Sequence, residues 1–386
     1  MSIKRKICVV ITARPSYSRV KTALAAIQSH PDLELQLVVA ASALLDRYGS
    51  VVNQIEKDGF RINEKVFMVL EGENPTSMAK TTGMGVMELA TTFLNLAPDI
   101  VVTIADRYET IATAIAGAYM NIPVAHIQGG EVTGSIDEKV RHSVTKLADI
   151  HLVASQDAFE RVVRLGEDPE MVFNTGCPSI DLAYEIMQNP GASFNPMEKY
   201  TGVGKSLDLK GGYIVVMQHP VTTEYRESRD HIEQTLRAAA SVKLPVLWFW
   251  PNVDAGADGT SAGIRSFREN HDTSHFHFYK NMAPHDFLTL LYRSKCLIGN
   301  SSVGIRECAF LGVPVVNVGS RQAGRMRGHN VLDVDYLESD ICDAIKKQVS
   351  HGLFESSRIY GNGKAGEKIA DVLSECQLKI AKKITY

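Results

Sequence analysis

Apolar and polar residues alternate along the first half of the chain in a repeating pattern of two elements. Short apolar runs rich in β-branched residues are strand candidates, and an amphipathic stretch typical of a helix separates each run from the next. The strand candidates are residues 7–12, 35–40, 65–69, 100–104, 123–127 and 150–153. Strands that alternate with helices are typical of a doubly wound parallel sheet, so we predict an α/β domain over residues 1–186.

This pattern stops near Met187 and resumes after Gly212. The residues between them have loop composition, which indicates a domain boundary. Further strand candidates follow at residues 213–217, 245–250, 275–279, 296–298 and 314–318. We therefore predict a second doubly wound, Rossmann-like α/β domain over residues 187–363. Residues 364–383 have an amphipathic helical pattern, and we assign the C-terminal segment 364–386, as a helix, to the first domain.

Two doubly wound domains whose strand ends face each other enclose a cleft. Open α/β sheets bind ligands at the carboxyl ends of their strands, so this cleft is where we expect the ligand. The polar residues that follow each strand are therefore the candidate site residues.

Composition and charge narrow the kind of ligand. The chain has 386 residues, enough for two or three domains, and its 45% hydrophobic residues can fill their cores. A formal net charge of −3 gives no electrostatic reason to expect a nucleic acid or a membrane partner, so we expect a small molecule. No signal peptide is evident, and no uncharged stretch approaches the ~20 residues of a membrane span. The six cysteines have no CxxC spacing, which favours a reduced, cytoplasmic protein.

The densest cluster of reactive side chains lies in residues 126–142, directly after a strand candidate. This segment carries two histidines, three carboxylates, one arginine and one lysine. Gly129-Gly130 precede Glu131, and their flexibility would let the backbone pass close to a ligand, so we predict a functional role for Glu131. Ser135 and Glu138 have the spacing of a capping box, which predicts that a helix begins there.

Charged residues on that predicted helix lie four positions apart and therefore share a face. Asp137 and Arg141 form one such pair, and Asp137 is in the first turn, at the end expected to face the cleft. Glu138 and His142 form the other pair, whose spacing is common in surface ion pairs. We predict a functional role for Asp137 and Arg141, and helix capping or surface pairing for Glu138.

Two more strand ends in the first domain carry candidate side chains. The first strand is not followed by a GxGxxG motif, so a dinucleotide cofactor lacks support. Arg14 and Ser18 follow this strand and either bind an anion or are a solvated arginine and a helix cap. Asp106 and Arg107 follow the fourth strand. This pair fits an acid or base beside a phosphate clamp, because arginine binds phosphate bidentately and keeps a neighbouring aspartate ionised; the alternative is that Asp106 caps the next helix.

Strand ends in the second domain offer a histidine and a polar turn. His219 follows the first strand, where it either donates to a phosphate and protonates a leaving group or packs in the core. Asn252 and Asp254 follow the next strand and either contact a sugar or base or cap a helix. His275 and His277 lack a third ligand at recognisable spacing, so we expect no metal site.

Residues 299–307 give the sharpest signal in the second domain. Small residues precede a predicted helix there, and the hydroxyls of Ser301 and Ser302 join its exposed N–H groups as donors for a diphosphate. Glu307, further along the same predicted helix, is placed to accept hydrogen bonds from a ribose diol. Arg321 lies in a glycine-rich loop after the following strand. These residues together indicate a site for a nucleotide sugar.

In combination, these segments resemble the hydrolysing UDP-N-acetylglucosamine 2-epimerases, which have the two-domain GT-B architecture. The matching segments run from Arg14 to about residue 330. The resemblance implies a homodimer or homotetramer that needs neither metal nor cofactor. It implies that Asp106, Glu131 and Asp137 with Arg141 surround the reacting sugar. It also implies that UDP is held by Arg14, Ser18, Arg107, His219, Ser301, Ser302, Glu307 and Arg321.

The resemblance also implies a reaction. A base removes the proton at sugar carbon 2 while UDP leaves carbon 1, and the resulting 2-acetamidoglycal is protonated and hydrated to N-acetylmannosamine, a precursor of sialic acid type nonulosonates. Some relatives carry glutamate where this chain has Gln128, which cannot transfer a proton, so that role passes to Glu131, Asp106 or Asp137. UDP-N,N'-diacetylbacillosamine, the legionaminic acid precursor, is the alternative substrate. A GT-B glycosyltransferase and a noncatalytic nucleotide-sugar sensor are alternatives of other classes.

Overall fold

The computed structural model describes residues 4–45, 51–71, 74–104, 107–132, 136–191, 194–221, 224–251 and 257–385, with the main chain alone at 75, 136, 137 and 257. Contacts divide the chain into two compact units. The first unit is Met1–Leu182 with Tyr360–Tyr386, and the second unit is Ala183–Ile359.

Seven parallel strands form the sheet of the first unit, in the order β3-β2-β1-β4-β5-β6-β7. The order reverses between β1 and β4, which is the position where open α/β sheets bind ligands. The strands are β1 (Arg5–Ile11), β2 (Leu33–Ala40), β3 (Ile62–Val66), β4 (Ile100–Ile104), β5 (Val124–Ile127), β6 (Ile150–Val153) and β7 (Val172–Asn174).

Helices connect these strands and bury the sheet. Every residue of β4, β5 and β6 is buried, as expected for central parallel strands covered on both faces. The helices are α1 (Arg14–Ser29), α2 (Val51–Lys57), α3 (Pro75–Leu96), α4 (Thr110–Tyr119), α5 (Ile136–Leu147), α6 (Gln156–Arg164) and α7 (Ser179–Gln188). Short 3-10 turns occupy Ala41–Leu44 and Pro169–Met171.

Six parallel strands of the second sheet repeat the order of β1 to β6, and a seventh strand is added at one edge. The sheet reads β14-β13-β12-β9-β10-β11-β8, and β8 is antiparallel to β11. The order reverses between β9 and β12. The strands are β8 (Gly202–Gly204), β9 (Ile214–Met217), β10 (Val246–Phe249), β11 (Phe276–Tyr279), β12 (Cys296–Gly299), β13 (Val315–Val318) and β14 (Val331–Val334).

The helices of the second unit pack on a core rich in aromatic and β-branched side chains, which includes Trp248 and Phe276. They are α8 (Pro196–Lys199), α9 (Ser228–Ser241), α10 (Ala257–Asn270), α11 (Pro284–Tyr292), α12 (Ser302–Ile305), α13 (Glu307–Leu311) and α14 (Glu338–His351), with a 3-10 turn at Ser320–Gln322. Two doubly wound parallel sheets confirm the predicted α/β fold class. In the part of the chain that the structure describes, no helix is both long and apolar enough to cross a membrane.

The C-terminal segment returns to the first unit as α15 (Ala365–Glu375), which packs against α1. Asp181 caps this helix by accepting hydrogen bonds from the N–H groups of Ala365 at 2.8 Å and Gly366 at 2.7 Å. The prediction of a helix up to residue 383 is wrong, because α15 ends at Glu375. The Arg5 guanidinium donates to the carbonyls of Leu373 and Cys376 and so satisfies the last turn. Residues 377–385 continue without helical structure.

Candidate functional site

The loop after β5 is fixed by hydrogen bonds at Gln128. This residue is buried and has a left-handed backbone with φ of 64°. Its N–H donates to the carbonyl of Leu152 in β6 at 2.9 Å, and its side-chain Nε2 donates to Sγ of Cys177 at 2.9 Å. The Gln128 amide is therefore a structural donor in the loop that carries the predicted reacting groups.

The two glycines that follow pack against protein at close range. A Cβ on Gly129 would lie 2.9 Å from Nδ1 of His126. Gly130 has φ of 76°, and its Cβ would lie 2.5 Å from the carbonyl oxygen of Ala158 in α6. The Arg161 guanidinium also donates to the Gly130 carbonyl. The two glycines thus let the loop pack closely against His126 and α6, and their expected approach to a ligand stays a prediction.

Glu131 and Arg141 meet at the end of this loop. The Arg141 side chain is 1% exposed, and its Nη1 donates to the main-chain carbonyl of Glu131 at 3.0 Å. Glu131 is 8% exposed, so its side chain is largely removed from solvent. The predicted ion pair between Glu138 and His142 is present, with 3.0 Å between Oε1 and Nε2. The side chain of Asp137, like Ser135 and Asp106, lies outside the described residues.

The reversal between β1 and β4 carries Arg14, Ser18 and Arg107. Arg14 is the first residue of α1, and burial lowers the pKa of its guanidinium. The Ser18 hydroxyl donates to the Arg14 carbonyl at 3.3 Å. The Nε of Arg107 donates to Oε1 of Glu109 at 2.8 Å, and the Glu109 side chain is 1% exposed. Glu109, which the sequence analysis missed, therefore balances the charge of Arg107.

In the second unit, Asn300 joins the two loops at the reversal between β9 and β12. Its buried side chain accepts from the His219 N–H at 2.7 Å and donates to the His219 carbonyl at 2.9 Å. The Asn300 main-chain carbonyl in turn accepts from Nη1 of Arg321 at 3.2 Å and from Nε2 of Gln322 at 2.8 Å. Asn300 thus brings the predicted ligand-binding residues His219 and Arg321 together with Ser301.

The His219 side chain is a neutral imidazole at neutral pH. Burial and, secondarily, the charge of Arg321 lower the pKa of His219 to about 3. A neutral imidazole donates one hydrogen bond from the nitrogen that carries the proton. It cannot act as the proton source for a leaving group unless a bound anion raises its pKa.

The segment after β12 differs from the single helix that we expected. Ser301 caps α12, with Oγ accepting from the Val303 N–H at 3.5 Å, but α12 has only 4 residues. The helix is interrupted at Arg306, whose φ of −104° and ψ of −75° are a distorted right-handed helical conformation, and α13 begins at Glu307. The prediction that Glu307 lies further along the helix of Ser302 is therefore wrong. Oε2 of Glu307 is buried and has no hydrogen-bond partner among the described residues.

The remaining predicted residues add little to the description of the site. Asn252 and Asp254 lie outside the described residues. Nδ1 of His277 donates to the Lys205 carbonyl at 3.0 Å, and His277 is buried in the sheet. Over the described ranges, no three histidine, cysteine, aspartate or glutamate side chains cluster as a metal site would require.

The two doubly wound units define an α/β protein of GT-B type, and comparison with known proteins supplies the family. Residues 25–374 match the family described as UDP-N-acetylglucosamine 2-epimerase. The chain belongs to this family, which confirms the predicted resemblance.

Near-full-length relatives support the same assignment. The chain is 32% identical to UDP-N,N'-diacetylbacillosamine 2-epimerase (hydrolyzing) of Legionella pneumophila, over 97% of each chain. It is 30% identical to UDP-N-acetylglucosamine 2-epimerase of Neisseria meningitidis, over 96% of this chain and 95% of that one. A crystal structure of UDP-GlcNAc 2-epimerase from Neisseria meningitidis bound to UDP-GlcNAc has the same fold, with a TM-score of 0.77 and 16% identity over 95% of this chain and 99% of that one.

Proposed function

We propose that the protein is a hydrolysing UDP-N-acetylglucosamine 2-epimerase. It converts UDP-N-acetylglucosamine and water into N-acetylmannosamine and UDP, for the synthesis of sialic acid type nonulosonates. The observation that carries this proposal is the buried Glu131, whose main chain is held by Arg141 at the carboxyl end of β5. The hydrolysing Legionella relative, 32% identical over 97% of the chain, supports water as the second substrate.

We assign the binding of UDP chiefly to residues of the second unit, and the predicted contacts of Arg14, Ser18 and Arg107 with UDP stay predictions. Arg321 supplies a positive charge, and His219 with the hydroxyls of Ser301 and Ser302 supplies neutral donors for the diphosphate. Because α12 has only 4 residues, its dipole contributes less than the sequence suggested, and the side-chain donors contribute more. The buried Oε2 of Glu307 lacks a hydrogen-bond partner among the described residues, and we assign it to accept a hydrogen bond from a ribose hydroxyl.

We assign the chemistry on the sugar to residues of the first unit. A base takes the proton from carbon 2, and the electrons of that C–H bond form the C1–C2 double bond as the C1–O bond breaks and UDP leaves. Carbon 2 then receives a proton on its opposite face while water adds its hydroxyl to carbon 1. Two proton-transfer groups on opposite faces are required, and we propose Glu131 and Asp106 as this pair, with Asp137 and Arg141 beside the sugar.

A second substrate is favoured by one specific observation. The Legionella relative is named for UDP-N,N'-diacetylbacillosamine, which carries a further acetamido group on the sugar. The same elimination and hydration apply to both UDP-sugars, because the extra group is remote from carbons 1 and 2. The shape of the pocket around carbon 4 decides between them.

The test supplies each UDP-sugar separately and identifies the free sugar by NMR. We expect release of UDP and a free sugar inverted at carbon 2, from UDP-N-acetylglucosamine in preference to the diacetylated sugar. Release of free sugar from neither would refute the proposal.

Glu131→Gln tests the residue assignment. Loss of a proton-transfer group is expected to lower turnover by about 10²–10⁴-fold. Glu160→Gln is the matched control, since Glu160 is 56% exposed and pairs with Arg164, and it should retain turnover. Wild-type turnover in Glu131→Gln would remove Glu131 from the mechanism. The cytoplasmic location and the homodimeric or homotetrameric state stay predictions.

A further inference from the structure

A buried cluster of charges lies in the first unit among residues that the proposed reaction does not use. Glu167 is 1% exposed, and its carboxylate contacts Nε2 of His151 at 2.9 Å, Nζ of Lys146 at 2.5 Å and Nζ of Lys382 at 2.5 Å. Burial alone would raise the pKa of Glu167, but these hydrogen bonds lower it to about 2. The carboxylate is therefore charged at neutral pH and fixes the ammonium of Lys382, which comes from the C-terminal segment.

Lys382 also binds the end of α5. Its Nζ lies 3.2 Å from the carbonyl oxygen of Thr145, 2.9 Å from that of Lys146 and 2.5 Å from that of Ala148. The last carbonyls of a helix have no partner within the helix, and a cation there is favoured by the helix dipole. The three N–H donors of this ammonium are thus shared among three carbonyls at the C-terminal end of α5 and the Glu167 carboxylate.

The residues next to Lys382 hold the segment in place. The N–H of Thr385 donates to the Gly166 carbonyl at 3.1 Å, and its hydroxyl donates to the Glu167 carbonyl at 3.0 Å. The Ile384 side chain lies against Gly166, where an added Cβ would come within 2.9 Å of it. The segment 377–385 is therefore attached to the first unit by main-chain, apolar and ionic contacts close together.

The end of α5 is connected directly to Arg141. The hydroxyl of the buried Thr145 donates to the Arg141 carbonyl at 3.0 Å and lies 3.2 Å from Nδ1 of His126 at the end of β5. Arg141 then donates to the Glu131 carbonyl at 3.0 Å. Three consecutive contacts thus lead from the ammonium of Lys382 to the main chain of Glu131.

We propose that the C-terminal segment 377–385 is a positioning element of the site, in which Lys382 fixes the end of α5 and thereby aligns Arg141 and Glu131. This inference rests on the proposed function of Glu131. Without the ammonium, the carbonyls at the end of α5 and the Glu167 carboxylate lose a shared partner. The last turn of α5 then moves more freely, and Arg141 holds Glu131 less precisely.

The experiment compares Lys382→Met with Lys146→Met in the full-length protein. Lys146 lies in the last turn of α5 and also contacts Glu167 at 2.5 Å, but its ammonium donates to the Leu165 carbonyl, so Lys146→Met leaves Lys382 on the carbonyls at the end of α5. Both variants therefore lose a similar ion pair. We expect kcat to fall about 10–100-fold in Lys382→Met with KM within threefold of wild type, as for a misplaced reacting group. We expect kcat of Lys146→Met to stay within threefold of wild type. Equal losses of kcat in the two variants, or wild-type kcat in Lys382→Met, would overturn the proposal.

Hydrogen exchange gives a second readout that does not depend on the reaction. Peptides covering residues 126–132 and 138–147 should exchange faster in Lys382→Met than in Lys146→Met, whereas equal exchange would overturn the proposal. If the wild type hydrolyses neither UDP-sugar, the proposed function fails, and this comparison still decides the role of the segment. If Lys382→Met does not fold, Lys382→Gln replaces it. Lys382→Gln should lose less kcat than we expect for Lys382→Met, and its peptides should exchange faster than those of the wild type. Wild-type kcat together with wild-type exchange in Lys382→Gln would overturn the proposal.

Discussion

Asn300→Ala tests whether the loops at the reversal between β9 and β12 are held together for UDP binding. The substitution leaves the His219 N–H without its acceptor at 2.7 Å and the His219 carbonyl without its donor at 2.9 Å. A buried polar group without a partner costs about 1–3 kcal/mol, so two of them cost about 2–6 kcal/mol of unfolding free energy. Native domains are stable by about 5–15 kcal/mol, so a domain above the lowest part of this range still folds after such a loss.

The effect on UDP follows from the loss of orientation at His219. A hydrogen bond to a charged group contributes about 1.5–3 kcal/mol, so losing the one from His219 weakens UDP binding about 10–150-fold. Isothermal titration calorimetry with UDP measures this change, and urea denaturation measures the stability of the same samples. The two measurements separate a local effect on the ligand from a general loss of folded protein.

Asn330→Ala is the matched control. Asn330 is also a buried asparagine of the second unit, and its Nδ2 donates to the Val313 carbonyl at 2.8 Å. This variant should lose about 1–3 kcal/mol of stability and keep its affinity for UDP. If Asn300→Ala is destabilised but binds UDP within twofold of wild type, Asn300 is only a core residue and His219 is not held for the diphosphate.

Two further predictions concern pH and the glycine loop. Because the pKa of His219 is lowered from 6.5 to about 3 in the folded protein, the unfolded chain takes up this proton first as the pH falls. The protein therefore loses stability as the pH falls from about 6.5 to 3. Urea denaturation of His219→Gln should show a smaller loss over this range, and identical pH profiles for the two proteins would contradict the lowered pKa of His219. Gly130→Ala should lose more stability than Gly59→Ala. Both glycines have a positive φ, so each substitution costs about 1–3 kcal/mol of backbone strain, but only the alanine at position 130 would also clash with Ala158. Equal losses of stability in the two variants would show that α6 moves aside at little cost in free energy.

The central strands could be predicted from the sequence because buried parallel strands carry continuous apolar runs. The predicted runs 100–104 and 150–153 coincide with β4 and β6. Edge strands lack this signal, and β8, β7 and β14 were missed for that reason. In β8, the sequence Gly-Val-Gly has no apolar pattern, and its Val203 is 51% exposed. The strand predicted at 65–69 is β3, Ile62–Val66, because pairing with β2 sets its position.

The ends of helices depended on distant contacts that no local pattern reports. The helical periodicity of the C-terminal segment continues past Glu375, but Arg5 satisfies the carbonyls there and the chain leaves the helix. Residues 302–307 contain no proline, so the sequence predicts one helix where the chain bends at Arg306. The domain boundary was predicted after residue 186, and the compact units divide after Leu182.

Site residues at strand ends could be predicted, but their partners could not. Asn300 contacts His219 across 81 residues of sequence, and the only local signal was an amide directly after a buried strand. Glu109 was hidden because a charge two residues after Arg107 resembles an ordinary helix start. Cys177 and Arg161, which fix the loop of Gln128 and Gly130, carry no motif at all.

Incubation with UDP-N-acetylglucosamine in heavy water tests the proposed reaction most directly. Elimination of UDP followed by protonation from solvent places deuterium at carbon 2, so the free N-acetylmannosamine should carry one deuterium at that position by NMR and mass spectrometry. A glycosyltransferase or a simple hydrolase leaves the C2–H bond intact. A released sugar that keeps its original hydrogen at carbon 2, with the configuration of N-acetylglucosamine, would contradict the proposed mechanism.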